Sequence, residues 1–138
     1  MRSERLPNWE ERLAAVIESA RHRRFAWGVH DCGLFVADVC LALTGRDPIA
    51  DLRGRYRTPA SAWRALSREG APLAFGRRFG DPIPPALARR GDAVLIGAGS
   101  RWPAFGVCVG AFCAGPDSDG LLAAPMRFAF AAWAVGGR

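Results

Sequence analysis

Lysine is absent from this chain: all 19 basic residues are arginine, set against 13 acidic residues for a formal net charge of +6. The bias has two readings. One is a GC-rich coding sequence; the other is contact with phosphate or carboxylate groups, which arginine binds in bidentate fashion. The positive charge sits in the first two-thirds, with 16 arginines against 10 acids from Met1 to Gly91 and 3 against 3 beyond. Interleaved aromatic and basic residues are missing, as are the motifs of nucleic-acid-binding folds, so no nucleic-acid partner is expected. Histidine is nearly absent, with only His22 and His30. The four cysteines, Cys32, Cys40, Cys108 and Cys113, form no Cys-x-x-Cys pair. Their spacing does not supply four zinc ligands, and disulfides are not the default without a secretory signal. No metal and no cofactor are therefore expected. No apolar run approaches the roughly 20 residues that cross a bilayer. The segment Met1–Arg5 is charged and lacks the apolar core of a signal peptide. These absences predict no membrane span, and a protein that stays inside the cell that makes it or leaves in an assembled particle.

What is present suits one folded domain over residues 1–138. Half of the chain is hydrophobic and 23% is charged, enough for a core and too apolar for global disorder. Asn8 with Glu11 three residues on reads as a helix start of the capping-box kind, and Leu13, Val16, Ile17 and Ala20 follow at helical spacing. His22 falls in an Arg-rich helix end and reads as solvated. From Cys32 to about Thr44 the chain is apolar nearly all round, as in a helix at the centre of a domain, with Asp31 to cap it and Gly45 to end it. Thr58-Pro59 opens a third helix, which Gly70 stops. Residues 71–90 read as a long connection with one helical turn near Pro85-Ala86-Leu87.

The second half changes character. Short apolar runs at Ala93–Ile96, Phe105–Cys113, Leu121–Ala124 and Phe128–Val135 alternate with turn-rich segments at 97–103 and 115–120. Helices first and strands later predict an α+β fold: N-terminal helices (about 8–70) packed on a small antiparallel sheet (about 91–136). Pro103 and Pro125 are expected at strand ends or edges.

One place carries chemistry. Cys32 is predicted in the first turn of the central helix, where free N–H groups and the helix dipole lower a thiol pKa and favour the nucleophilic thiolate. The competing reading is a thiol packed as a small apolar residue, as for Cys40 and Cys108. His30 reads either as a base for Cys32 or as a loop residue bonded to backbone; the nucleophile–base geometry is demanding across so short a step. Asp31 is more simply an N-cap than a catalytic acid.

The order Trp27-Gly28-Val29-His30-Asp31-Cys32, an apolar helix, Arg90-Gly91-Asp92-Ala93-Val94-Leu95-Ile96, then Phe105-Gly106-Val107-Cys108-Val109-Gly110 resembles the NlpC-type papain-like cell-wall peptidases. Arg53–Thr58 and Ala132-Trp133 extend the likeness to small phage and prophage tail-associated proteins of that superfamily. The resemblance implies a papain-like fold with Cys32 at the nucleophile position. It also implies a cleft flanked by Trp27 and Trp102. Two letters depart from the pattern. Gly33-Leu34 stand where Ser-Gly follows the cysteine, and Ala104 stands where the catalytic histidine belongs. The next apolar run, Gly120–Ala124, has no polar residue to orient a histidine. Two functions follow as expectations. One is a degenerate domain, not an enzyme, that serves as a structural or assembly component of a phage tail tip. Its arginines would meet acidic surfaces of other tail proteins, first in the host bacterial cytoplasm and then in the virion tail. The alternative is an active cysteine peptidase or amidase on peptidoglycan peptides, with Cys32 as nucleophile and His30 as the nearest base.

Overall fold

A computed structural model describes residues 4–68, 70–97 and 103–137. Four α-helices precede a six-stranded antiparallel sheet in the chain, an α+β arrangement among the described residues.

Helix α1 spans Trp9–Ala20 and turns Leu13 and Ala20 into the core. Asn8 precedes it but makes no side-chain capping bond. Its backbone, at φ −100° and ψ 30°, is not in the extended conformation from which a cap side chain reaches the first-turn N–H groups. The expected capping box is therefore absent. Helix α2, Cys32–Thr44, starts and ends where its caps predict: the Asp31 carboxylate accepts from the Leu34 N–H at 2.9 Å, and Gly45 closes the helix in the left-handed conformation. Phe35, Val36, Ala37, Val39 and Leu43 are completely buried, so α2 is the centre of the main core. Helix α3, Pro59–Ser67, has a complete capping box between Thr58 and Ser61 and no fully buried residue.

The stretch read as a connection holds more structure than expected. A short helix α4 (Pro72–Phe75) runs into a 3-10 turn, and strand β1 (Asp81–Ile83) precedes the 3-10 turn at Pro85–Leu87. Pro82 lies within β1, which is tolerated because β1 is an edge strand with one neighbour. Strands β2 (Ala93–Ile96), β3 (Ala104–Cys108), β4 (Phe112–Asp117), β5 (Gly120–Pro125) and β6 (Ala129–Ala134) complete the sheet, in the order β1-β6-β2-β3-β4-β5. The apolar run 105–113, read as one strand, is a hairpin. Gly110, at φ +121°, lets the chain reverse, and the Val109 N–H closes the turn on the Phe112 carbonyl at 2.8 Å. The turn expected over 115–120 shrinks to two residues, because Gly115-Pro116-Asp117 pairs with β5.

The sheet pleat sorts side chains by face. Ala93, Leu95, Phe105, Val107, Trp133 and Val135 join α2 in the main core. Val94, Cys108, Cys113 and Ala132 form a second, smaller cluster on the other face. No helix of the described residues is long and apolar enough to cross a membrane.

Candidate functional site

The loop before α2 is built around one buried carboxylate. Asp31, 2% exposed, accepts from the backbone N–H groups of Leu34 (2.9 Å) and Gly28 (3.0 Å) and from the Tyr56 hydroxyl (2.6 Å). Three donors fix its orientation, so it caps the helix, closes the 26–30 loop and ties in the arginine-rich segment at once. Burial first, and then the bond to Asp31 and its charge, push the Tyr56 phenol well above its ordinary range. Tyr56 thus stays a hydrogen-bond donor.

Cys32 opens α2 beside an apolar cavity of about 90 Å³. Trp27, Tyr56, Leu66, Phe75, Pro103 and Phe105 are among its walls, and Trp63 stands half-exposed at its edge. The expectation of a thiol activated by the helix start is not met. Burial is the largest influence on Cys32 and pushes it up to about 11. Backbone hydrogen bonds at Phe105, Gly33 and Cys32 itself favour the thiolate but do not offset burial, and the Asp31 charge adds to the rise. Cys32 retains some surface, but it faces apolar walls, and access of that kind does not hydrate a charge. At neutral pH the thiol form therefore predominates.

His30 does not face this cavity. Its ring lines a different groove, between α1 and α2, with Arg12, Ser19, Arg23 and Asp38, and meets Phe35 edge-on at 6.2 Å between centroids. It is 2% exposed, and neither ring nitrogen has a hydrogen-bond partner among the described residues. The side-chain bond to backbone expected for His30 is not seen; its main-chain N–H and carbonyl instead pair with Ala26. The structure therefore brings Asp31 and Cys32 to one cavity wall, and His30 is not among the residues that line it. His22 is exposed. Pro103, just before β3, and Phe105 on it line the Cys32 cavity and Ala104 does not; β4 and β5 contribute no wall residue among the described residues. Trp102, expected at the cleft, lies outside the described residues. Trp27 lines the cavity while packing edge-on to Phe25 at 4.8 Å.

Burial, and then the charge of Arg23, lower the His30 pKa, while Asp38 and Asp31 pull weakly the other way. The folded state thus binds fewer protons than the unfolded chain below the ordinary histidine value. Stability from this group is complete above about pH 6.5 and is lost as pH falls through the lowered value. We expect the urea midpoint to drop between about pH 7.5 and pH 5, and His30→Leu to flatten that drop. An unchanged pH dependence in the variant would assign it to other groups.

Tyr56 was not foreseen as a site residue, although it is the only tyrosine in the chain. What joins it to Asp31 is a contact between segments 25 residues apart, which no local spacing reveals. Much of the arginine is engaged internally. Arg53 pairs with Asp38 and Asp47, Arg78 makes a two-pronged bond to Asp51, and Arg5 is buried against Asp92. Among the described residues, no group of three or more His, Cys, Asp or Glu side chains is arranged to hold a metal ion.

A family model described as a domain of unknown function, DUF6950, matches residues 4–135. No curated protein matches the sequence.

Proposed function

The chain belongs to the DUF6950 family, and we propose that it is a degenerate papain-like domain of the NlpC type, a structural or assembly component of a phage tail tip. The single observation that carries this reading is the environment of Cys32. A thiol at the nucleophile position sits against an apolar cavity, pushed up to about 11, while the only buried histidine faces another groove. A cysteine nucleophile needs a base or a lowered pKa, and Cys32 has neither among the described residues. Two polar side chains that share its cavity, Asp31 and Tyr56, are bonded to each other. The α+β fold and the order of motifs supply the family likeness; the missing base supplies the loss of activity. The tail-tip assignment rests on the sequence resemblance. The arginines not engaged internally would meet acidic surfaces of neighbouring tail proteins, in a ring or another fixed assembly.

The test is the pH dependence of iodoacetamide labelling at Cys32, followed by peptide mass mapping, in the wild type and in His30→Leu. Labelling is expected to be slow at neutral pH, to climb toward about pH 11, and to be the same in both proteins. A thiolate appearing well below the ordinary value of about 8.5, and shifted by His30→Leu, would instead support a cysteine peptidase or amidase; release of peptides from peptidoglycan would then be the decisive assay. Mass spectrometry of purified tail particles tests the location, and absence of the chain from them would remove the assembly role.

A further inference from the structure

The β3–β4 hairpin sets two cysteines directly opposite each other, with the Cys108 thiol donating to the Gly110 carbonyl and the Cys113 thiol to the Ala124 carbonyl, each at 3.4 Å. Cys108 and Cys113 are direct cross-strand partners, and both belong to the small apolar cluster on the sheet face away from α2. Backbone bonding defines the kind of pair they form. The Val109 N–H bonds to Phe112 at the turn, and pairing alternates along an antiparallel ladder, so the next pair is not hydrogen-bonded to itself. Cys108 shows the same independently: its N–H goes to the Asp92 carbonyl at 2.9 Å and its carbonyl accepts from Gly91 at 2.8 Å, both on the β2 side. Non-hydrogen-bonded partners are the closest in a sheet, with Cα atoms about 4.5 Å apart. That lies within the 4.4–6.8 Å range that a disulfide spans.

We propose that Cys108 and Cys113 are a redox-responsive dithiol that closes to a cross-strand disulfide when the protein meets a small oxidising disulfide such as oxidised glutathione. Both thiols are free in this structure, which is the reduced state. Closure proceeds by exchange. One thiol loses its proton, attacks a sulfur of glutathione disulfide and expels one glutathione thiolate. The second cysteine, as thiolate, then attacks the protein-bound sulfur, forms the Cys108–Cys113 bond and expels the other glutathione. The protein loses two electrons and two protons, and two glutathione thiols are formed. The geometry selects this pair, since Cys32 and Cys40 lie in α2, on the opposite face of the sheet. Burial raises both thiols, and Cys113 is raised further by Cys108 beside it. Reaction is therefore slow in the closed fold, and access runs through the exposed tip at Gly110 and Ala111. The bond would tie the end of the sheet when the chain passes from a reducing to an oxidising compartment.

Refolding the reduced full chain from urea in a glutathione redox buffer removes access as a variable. The expected product is two hydrogens lighter, with Cys108 and Cys113 joined in one peptide after digestion and Cys32 and Cys40 still free. Its melting temperature should rise by about 5 °C over the reduced protein. Cys113→Ser should leave a glutathione adduct on Cys108 and no internal bond; Cys108→Ser reads out the converse if the first variant folds poorly. Four free thiols under oxidising buffer, a persistent mixed disulfide in the wild type, or a bond to Cys32 or Cys40 would each overturn the proposal.

Discussion

Replacing Asp92 with alanine should cost about 3–5 kcal/mol of folding stability, the usual loss when one partner is removed from a buried charge pair. Asp92 is completely buried. One carboxylate oxygen accepts from the Arg5 guanidinium and the Val135 N–H, each at 3.0 Å, and the other from the Arg89 N–H at 2.9 Å. Arg5 is itself only 4% exposed in this pair; it also donates to the carbonyls of Val135 (2.9 Å) and Arg90 (2.8 Å) and lies over the Trp9 ring. Asp92 thus fastens the N-terminal segment and the end of β6 to the entry of β2. Alanine would leave a guanidinium charge and two N–H groups buried with bonds missing. Against a total stability of about 5–15 kcal/mol, that removes a large fraction of the margin. Urea denaturation measures it. Arg5→Met supplies the second corner of a cycle, and the double variant should be less unstable than the sum of the singles by about 0.5–3 kcal/mol. A loss below about 1 kcal/mol for Asp92→Ala, in the range of ordinary surface changes, would mean that the carboxylate is not the clamp described.

Legibility in the sequence followed how local the determining contact was. Helix α2 was readable to the residue because both caps and an all-round apolar surface lie within one stretch, 31–45. Strand β2 was readable for a similar reason, a short apolar run after Gly91-Asp92. Strand β1 was not: three residues with a central proline resemble a loop until β6 lies beside them. The turn at Gly110 was hidden in a run of apolar residues without a polar turn signal. At the site, the helix start and its cap were legible, but the sign of the effect on Cys32 was not. A helix terminus lowers a thiol pKa locally, whereas desolvation depends on Phe75, Leu66 and Phe105 arriving from elsewhere. The direction in which His30 points was equally out of reach, because α1 and α2 together form the groove that receives it.

Two of the buried carboxylates hold the fold together whatever the chemistry of the site. Asp31 holds a loop, a helix start and Tyr56; Asp92 holds two chain segments; both have structural work that does not depend on catalysis. On the proposed NlpC-type reading, a catalytic histidine on the sheet would have no such duty, and the position that would match it is Ala104. If that reading holds, a chain with the two scaffold carboxylates and without the histidine would suit the proposed assembly role, since a fold must survive for the part to be built into anything.

The Trp27-Gly28 letters belong to the scaffold too, and Gly28→Ala should cost about 3 kcal/mol or more from two additive causes. Gly28 has φ +76°, so any side chain adds left-handed strain of about 1–2 kcal/mol. A Cβ there would also stand 2.0 Å from the Tyr56 carbonyl oxygen and 3.2 Å from the Arg57 Cα. These are backbone atoms, which cannot swing aside as a flexible side chain does. The segment would have to retreat, weakening the Tyr56–Asp31 and Gly28–Asp31 bonds, each worth about 1.5–3 kcal/mol because the acceptor is charged. Gly45→Ala is the control. It carries nearly the same φ, +79°, with nothing within 4 Å of the added carbon, and should show the strain alone, about 1 kcal/mol. Urea midpoints compare the two. Cys32 labelling adds an independent readout, because a displaced Tyr56 opens a wall of the cavity and Gly28→Ala should label faster than either wild type or Gly45→Ala. Equal losses in the two variants, with labelling unchanged, would show that backbone strain alone fixes the glycine and that the approach of Tyr56 to the loop before Cys32 has slack the structure does not suggest.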